Sequence, residues 1–221
     1  MTLIFGASRG IGNYLYHQYV LKGQSVTGTY HKTRQAYLDP VDITKYDEVE
    51  HFVAKLYQPQ HLDVLVCAGI HEPEVLHKSD PAKWERVLTV NTLGAYNVAR
   101  AVLPIMREQE YGRIIFFSSV VAQRGAMGTS AYATSKAALW GLAKSITLEN
   151  ASKGISCNCL NLGYSDIGMG EALPSAYKAN VLEEIPARRF CSKTEIGNAV
   201  DFLIHTPYVT GAGLDISGGF V

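Results

Sequence analysis

Apolar residues occur along this chain in short unbroken runs, separated by longer stretches with helical spacing. Thr2 to Gly6 is the first such run and reads as a buried strand closed by a glycine. Ile11 to Lys22 follows with Ile11, Leu15 and Tyr19 at four-residue intervals, one face of a helix that Gly23 stops. Ser25 to Tyr30 is a second strand, His31 to Arg34 is polar and reads as loop, and Tyr37 to Val41 is a short strand at best. A helix is predicted over Asp47 to Tyr57, ended by Pro59. Asp63 to Cys67 is continuous apolar strand, and Pro81 opens a helix reaching about Arg107, with Pro104 kinking its final turn. Arg113 to Phe117 is the next strand, with Ser119 just beyond its end. Tyr132 to Ser152 is helical and closed by Gly154. Ile155 to Leu160 is strand, the segment near 164–190 is mixed and lid-like, Thr194 to His205 is helix, and Leu214 to Ile216 is a last strand.

Strand and helix alternate throughout, and the strands are apolar on both faces. That combination predicts an α/β fold: a Rossmann-like, doubly wound parallel sheet of about seven strands with helices on both faces. No repeat or linker divides the chain, so residues 1–221 are expected to form one domain. In such sheets ligands bind beyond the carboxyl ends of the strands.

Bulk composition narrows the partners. Hydrophobic residues make up 47% and charged residues 18%, the balance of a globular protein rather than a disordered one. Twenty basic side chains offset twenty acidic ones, which gives no field to attract nucleic acid or anionic lipid. No apolar run is long enough to span a membrane. A glycine turn already follows Leu3-Ile4-Phe5, leaving no room for a secretory signal, so a cytoplasmic location is expected. Cys67, Cys157, Cys159 and Cys191 form no Cys-x-x-Cys pair and read as free thiols in a reducing compartment. The histidines lack ligand spacing, and no metal site is expected.

Gly6-Ala7-Ser8-Arg9-Gly10-Ile11-Gly12 joins the first strand to the first helix. A glycine at the strand end permits a tight turn, Gly10 lets backbone approach a pyrophosphate, and Gly12 lets the helix pack closely on the sheet. The free N–H groups at the helix start then face phosphates. Such clusters also occur in plain turns, but the position after the first strand of an alternating chain favours a dinucleotide. An NAD site carries an acid at the end of the second strand. Here that end is Tyr30-His31-Lys32, with Arg34 beyond and Arg9 in the turn, so NADP(H) is expected over NAD(H).

Tyr132 and Lys136 are one helical turn apart and share a face. Ser119 lies on the ligand edge of the sheet. A phenol at its ordinary pKa of about 10 exchanges protons poorly near neutrality, and a neighbouring ammonium is expected to lower that value. The Ser119 hydroxyl can hold a substrate oxygen in place. Alone, a Tyr/Lys pair on a helix is more often a surface pair than a site; the glycine turn and the serine reverse those odds.

These residues resemble the short-chain dehydrogenase/reductase family over essentially the whole chain. The resemblance is carried by Gly6 to Gly12, Val41-Asp42-Ile43, Cys67-Ala68-Gly69, Val90-Asn91-Thr92, Ser119 and Tyr132-Ala133-Thr134-Ser135-Lys136, with Tyr208 to Gly211 and Ser217-Gly218-Gly219 near the end. It implies an enzyme acting on CH–OH or C=O groups. Tyr132 would be the acid/base and Ser119 would orient substrate. Lys136 would hold the nicotinamide ribose and tune Tyr132, Asn91 would hold a relay water, and Asp42 would meet the adenine. Family members are commonly dimers or tetramers.

Within the family the chain is similar to β-ketoacyl-acyl-carrier-protein reductases, through Ser119-Val120-Val121 and Ile185 to Phe190. It departs from that pattern at several points. Cys67 replaces the second Asn of Asn-Asn-Ala-Gly and would contact cofactor by its backbone. Leu162-Gly163 replaces Pro-Gly, and Ile167 stands where a cofactor-bonding Thr is expected, which leaves the Ser165 backbone for the carboxamide. Lys153 keeps a basic position expected at the site mouth for an acyl carrier protein, while Glu110 stands where another is expected. A sugar, a polyketide or another small carbonyl compound is equally open as substrate. Two competing readings are a nucleotide-binding regulator without chemistry and the nucleotide-sugar epimerase branch. Retention of Asn91, Ser119, Tyr132 and Lys136 argues against the first; the epimerase branch has another glycine spacing and a further substrate domain.

Overall fold

The computed structural model describes residues 1–56, 61–171 and 173–221. Seven parallel strands form one sheet in the order β3-β2-β1-β4-β5-β6-β7: β1 (Thr2–Phe5), β2 (Val26–Tyr30), β3 (Asp39–Pro40), β4 (Asp63–Val66), β5 (Gly112–Ser119), β6 (Ile155–Leu162) and β7 (Gly213–Ile216). The helices are α1 (Gly10–Leu21), α2 (Tyr46–Ala54), α3 (Pro81–Leu88), α4 (Gly94–Gln109), α5 (Val121–Arg124), α6 (Ser130–Asn150), α7 (Ser175–Glu184) and α8 (Lys193–His205).

The unbroken apolar runs have a direct cause. Side chains alternate across a strand, and here each face meets a helical layer. Leu3, Phe5, Val64, Val66, Ile114 and Phe116 pack on one side with residues of α2, α4 and α6. Ile4, Leu65, Ile115, Phe117 and Leu160 pack on the other with α1 and α8. Every residue of β5 and β6 is buried. The order reverses between β1 and β4, the position at which parallel doubly wound sheets bind ligands along their carboxyl edge.

Several boundaries differ from the sequence reading. The helix expected from Pro81 to about Arg107 is interrupted by a π turn at Thr89–Leu93 and then continues to Gln109, past Pro104. β5 and β6 run two residues further than expected, so Ser119 is the last residue of β5, paired with Leu162, rather than a loop residue beyond it. The polar character of Ser118 and Asn161 hides this in the sequence, and the pairing supplies it. The α2 helix ends at Ala54; the expected boundary at Tyr57 and Pro59 lies outside the described residues. The segment near 164–190, expected to be lid-like, contains α7, and a bridge between Ser165 and Cys191 ties its ends together.

Candidate active site

Every expected site residue except those on helices lies on the carboxyl edge of the sheet. Gly6, Ser8 and Arg9 follow β1, His31 and Lys32 follow β2, and Asp42 and Ile43 follow β3. Cys67, Ala68 and Gly69 follow β4, Ser119 ends β5, and Ser165 follows β6. Gly10, Ile11 and Gly12 form the first turn of α1, Asn91 lies in the π turn, and Tyr132 and Lys136 lie on α6.

The turns after β1 and β4 are built against each other. The N–H groups of Cys67 and Ala68 both donate to the Phe5 carbonyl at 2.9 Å. A Cβ on Gly12 would land on the Gly6 carbonyl oxygen, so only glycine lets α1 come this close. Gly10 has φ 56° and faces Gly168 of the lid segment, whose Cα would be 3.2 Å from an added Cβ. Arg9 occupies the cap of α1, is exposed, and makes no side-chain capping bond; no acid sits in the first turn. The first N–H groups of a helix have no partner within it. This cradle of backbone donors, narrow enough to exclude a side chain and with no acid in the first turn of α1, fits a dinucleotide pyrophosphate.

Further along the edge, Asp42 accepts from the Thr44 amide at 3.0 Å and its hydroxyl at 2.8 Å, while its other oxygen is 3.7 Å from His31 Nε2. Burial pushes the Asp42 carboxyl up, but the Thr44 bonds and His31 together hold it below its ordinary value. Asn97 Nδ2 donates to the Ile43 carbonyl at 2.9 Å and fixes that turn. Ser165 is buried and donates to the Ile167 carbonyl at 3.1 Å.

The chemistry-bearing group is closely bound together. Lys136 is buried and its Nζ donates to the Phe117 carbonyl at 2.6 Å, 5.6 Å from the centre of the Tyr132 ring. Ser118 Oγ donates to the Lys136 carbonyl at 2.9 Å and so ties α6 to β5. Ser119 Oγ accepts from the Val121 amide at 3.3 Å, donates to the Leu162 carbonyl at 3.4 Å, and sits close enough to the Tyr132 phenol to lower its pKa. Asn91 Nδ2 donates to Ser135 Oγ at 2.9 Å, which in turn donates to the Tyr132 carbonyl at 2.8 Å.

One electrostatic expectation is corrected. Desolvation lifts the Tyr132 phenol to about 12, only partly offset by Ser119, instead of the ammonium lowering it. The same burial pushes Lys136 down to about 8. In this enclosed setting the cost of burying a charge exceeds the attraction between the two groups.

A second correction concerns Lys153 and Glu110. They form an ion pair at 2.9 Å beside the beginnings of β5 and β6, where Gly112 pairs with Ile155. Ser119 and Leu162 are seven strand steps away, about 23 Å at 3.3 Å per residue. The pair is therefore on the opposite edge from the site and neither invites nor repels a carrier there.

The sequence reading assigned no role to Ser118, Ser135 or His71. The first two adjoin residues it singled out. His71 lies in a loop with no periodicity to mark it; its ring sits 4.8 Å from that of Tyr132, and burial lowers its pKa.

A parallel doubly wound sheet with a glycine cradle at its switch point and a Ser/Tyr/Lys group beside it defines a nucleotide-dependent oxidoreductase. The chain belongs to the short-chain dehydrogenase family, whose model matches residues 1–178. It is 31% identical over 239 residues to an acetoacetyl-CoA reductase of Allochromatium vinosum, covering 99% of this chain and 97% of that protein. It is 32% identical over 234 residues to the 3-oxoacyl-acyl-carrier-protein reductase of Escherichia coli, covering 99% and 96%. Among solved structures it resembles the ligand-free aldohexose dehydrogenase of Thermoplasma acidophilum, with a TM-score of 0.89, 28% identity, and coverage of 99% and 93%. The protein is an NAD(P)(H)-dependent oxidoreductase acting on CH–OH or C=O substrates. Among the described residues no helix is long and apolar enough to cross a membrane.

Proposed function

We propose that this protein is an NADP(H)-dependent carbonyl reductase in which Tyr132 is the proton donor. The observation that carries this reading is the Ser119/Tyr132 pair, held at the sheet edge with Lys136 one turn away. A bound nicotinamide supplies the hydride. Ser119 holds the substrate oxygen, Tyr132 delivers a proton to it, and the Lys136 ammonium stabilises the phenolate left behind. With the phenol at about 12, Tyr132 is protonated at neutral pH, the state that reduction requires. Asn91, its side chain fixed on Ile70 and Ser135, holds a relay water through its backbone carbonyl, and the Ser165 backbone receives the carboxamide. Asp42 meets the adenine, and Arg9, Lys32 and Arg34 meet a 2′-phosphate; all three cations are exposed and no acid lies between Tyr30 and Arg34.

The substrate class we favour is a 3-oxoacyl thioester, on a carrier protein or coenzyme A. It is supported by two relatives named as reductases of such thioesters, each matched over nearly its whole length. The protein acts as a homodimer or homotetramer, a reading supported by exposed Leu93, Tyr96 and Leu148 on neighbouring helices. Oxidation of NADPH is followed with acetoacetyl thioesters, aldohexoses and simple ketones. Turnover of thioesters with NADPH supports the reading, turnover of sugars alone replaces the substrate class, and no turnover with any of them defeats it.

A further inference from the structure

The connection from β2 to β3 departs from ordinary parallel topology. Parallel neighbours need a crossover of a dozen or more residues, usually a helix, yet β2 ends at Tyr30 and β3 begins at Asp39. So short a link suffices because β3 pairs only with the last two residues of β2, Thr29 with Asp39 and Tyr30 with Pro40. The chain turns back by two strand steps and never crosses the sheet. Leu38 is buried over Gly28, in the apolar cluster that also holds Ala7 and Leu15, and covers what a crossover helix would have covered.

Tyr37 fastens this loop to α1. Its ring stacks on Tyr16, with centroids 5.0 Å apart and planes at 28°, and meets His17 edge-on at 5.5 Å. Its hydroxyl accepts from Asn13 Nδ2 at 3.1 Å and lies 3.1 Å from His17 Nε2. Asn13 also donates to the Ala7 carbonyl at 3.2 Å, inside the glycine turn itself. The loop so held carries His31, Lys32 and Arg34. Lys32 and Arg34 have no hydrogen bond or ion pair among the described residues.

We propose that Tyr37 is the positioning residue for cofactor discrimination: its clasp on α1 holds Lys32 and Arg34 where the 2′-phosphate of a bound nucleotide is met. The proposal rests on the NADP(H) reading above. With no crossover helix to fix it, the loop is held by Tyr37 on α1, by Leu38 in the apolar cluster and by the approach of His31 to Asp42 at 3.7 Å. Without the clasp, two long cationic side chains and their backbone must be ordered by the ligand itself, which costs about tenfold in affinity.

Calorimetric titration of the full chain with adenosine 2′,5′-bisphosphate and with adenosine 5′-monophosphate tests it. The wild type binds the bisphosphate more tightly. Tyr37→Ala weakens the bisphosphate about tenfold and leaves the monophosphate within about twofold. Tyr37→Phe keeps the Tyr16 stack, loses the hydroxyl bonds and falls between. A wild type without preference defeats the NADP(H) reading, and this proposal with it. A wild type that prefers the bisphosphate, with a preference unaltered in Tyr37→Ala, defeats the proposal alone. If Tyr37→Ala loses both ligands or its cooperative melt, Tyr37→Phe decides: a selective loss of about threefold supports the clasp, and equal binding overturns it.

Discussion

The side-chain amide of Asn91 satisfies both backbone groups of Ile70: its Oδ1 accepts from the Ile70 N–H at 2.8 Å, and its Nδ2 donates to the Ile70 carbonyl at 2.9 Å. The π turn brings a buried polar side chain to the loop after β4, and Nδ2 spends its second proton on Ser135. One side chain thus joins the turn that bounds the cofactor crevice to the helix that bears Tyr132.

Replacing Asn91 by Ala leaves two part-buried backbone groups and the Ser135 hydroxyl short of partners. We expect a loss of about 1–3 kcal/mol in unfolding free energy, with activity falling too. Asn91→Asp keeps the acceptor for the Ile70 N–H but sets a carboxylate against its carbonyl, so it should be no more stable than the alanine variant. Urea melts at equal m-value measure both; an Asn91→Asp protein of wild-type stability contradicts the clamp.

Tyr132→Phe removes the only atom assigned to proton transfer and leaves the ring packing against His71 intact. Turnover should drop by at least about 100-fold while the melting temperature and nucleotide affinity hold. Ser119→Ala should cost less, since positioning is lost and the proton remains. Steady-state rates alongside nucleotide titrations separate these effects, and a phenylalanine variant that turns over at the wild-type rate removes Tyr132 from the chemistry.

Lys136 makes stability depend on pH in a definite direction. Burial takes its pKa from 10.5 in the unfolded chain to about 8 in the fold. Between those values the unfolded state binds more protons, so stability rises as pH goes from about 8 to about 10.5; below 8 the cost of the buried ammonium is constant. Wild type should therefore gain on Lys136→Met across that window, as read from paired denaturant melts. A difference that stays flat with pH would falsify the buried, charged state assigned to this amine at neutrality.

A methyl group at position 69 would sit 3.3 Å from both Asn91 Oδ1 and Lys136 Nζ. Those atoms have little room to retreat, since Asn91 is fixed on Ile70 and Lys136 on the Phe117 carbonyl. Gly69→Ala should lower kcat about tenfold through a displacement of a few tenths of an ångström, with a small change in melting temperature. Equal kcat would mean that the space beside Gly69 has no part in the reaction.

Much of this site was legible before any coordinates. The glycine turn was readable because a tight strand-to-helix connection restricts which residues can occupy Gly10 and Gly12. Tyr132 and Lys136 were readable because helical spacing places them together. The last residues of β5 and β6 were not, because serine and asparagine look like loop until the neighbouring strand takes up their backbone groups. Lys153 and Glu110 were misplaced because spacing along the chain does not say which edge of the sheet a loop occupies.

By itself the sequence determined the alternation of strands and helices and the parallel sheet, and it pointed to the glycine turn and to Tyr132 and Lys136 as candidates, since periodicity and local turn chemistry act over a few residues. Only the tertiary structure decided that Asn91 grips Ile70, that Tyr37 stacks on Tyr16 and bonds Asn13 of α1, and that the Tyr132 phenol rises in pKa rather than falls. Those outcomes depend on contacts between residues far apart in the chain and on the exclusion of water around them, and neither exists until the sheet and its helices have packed.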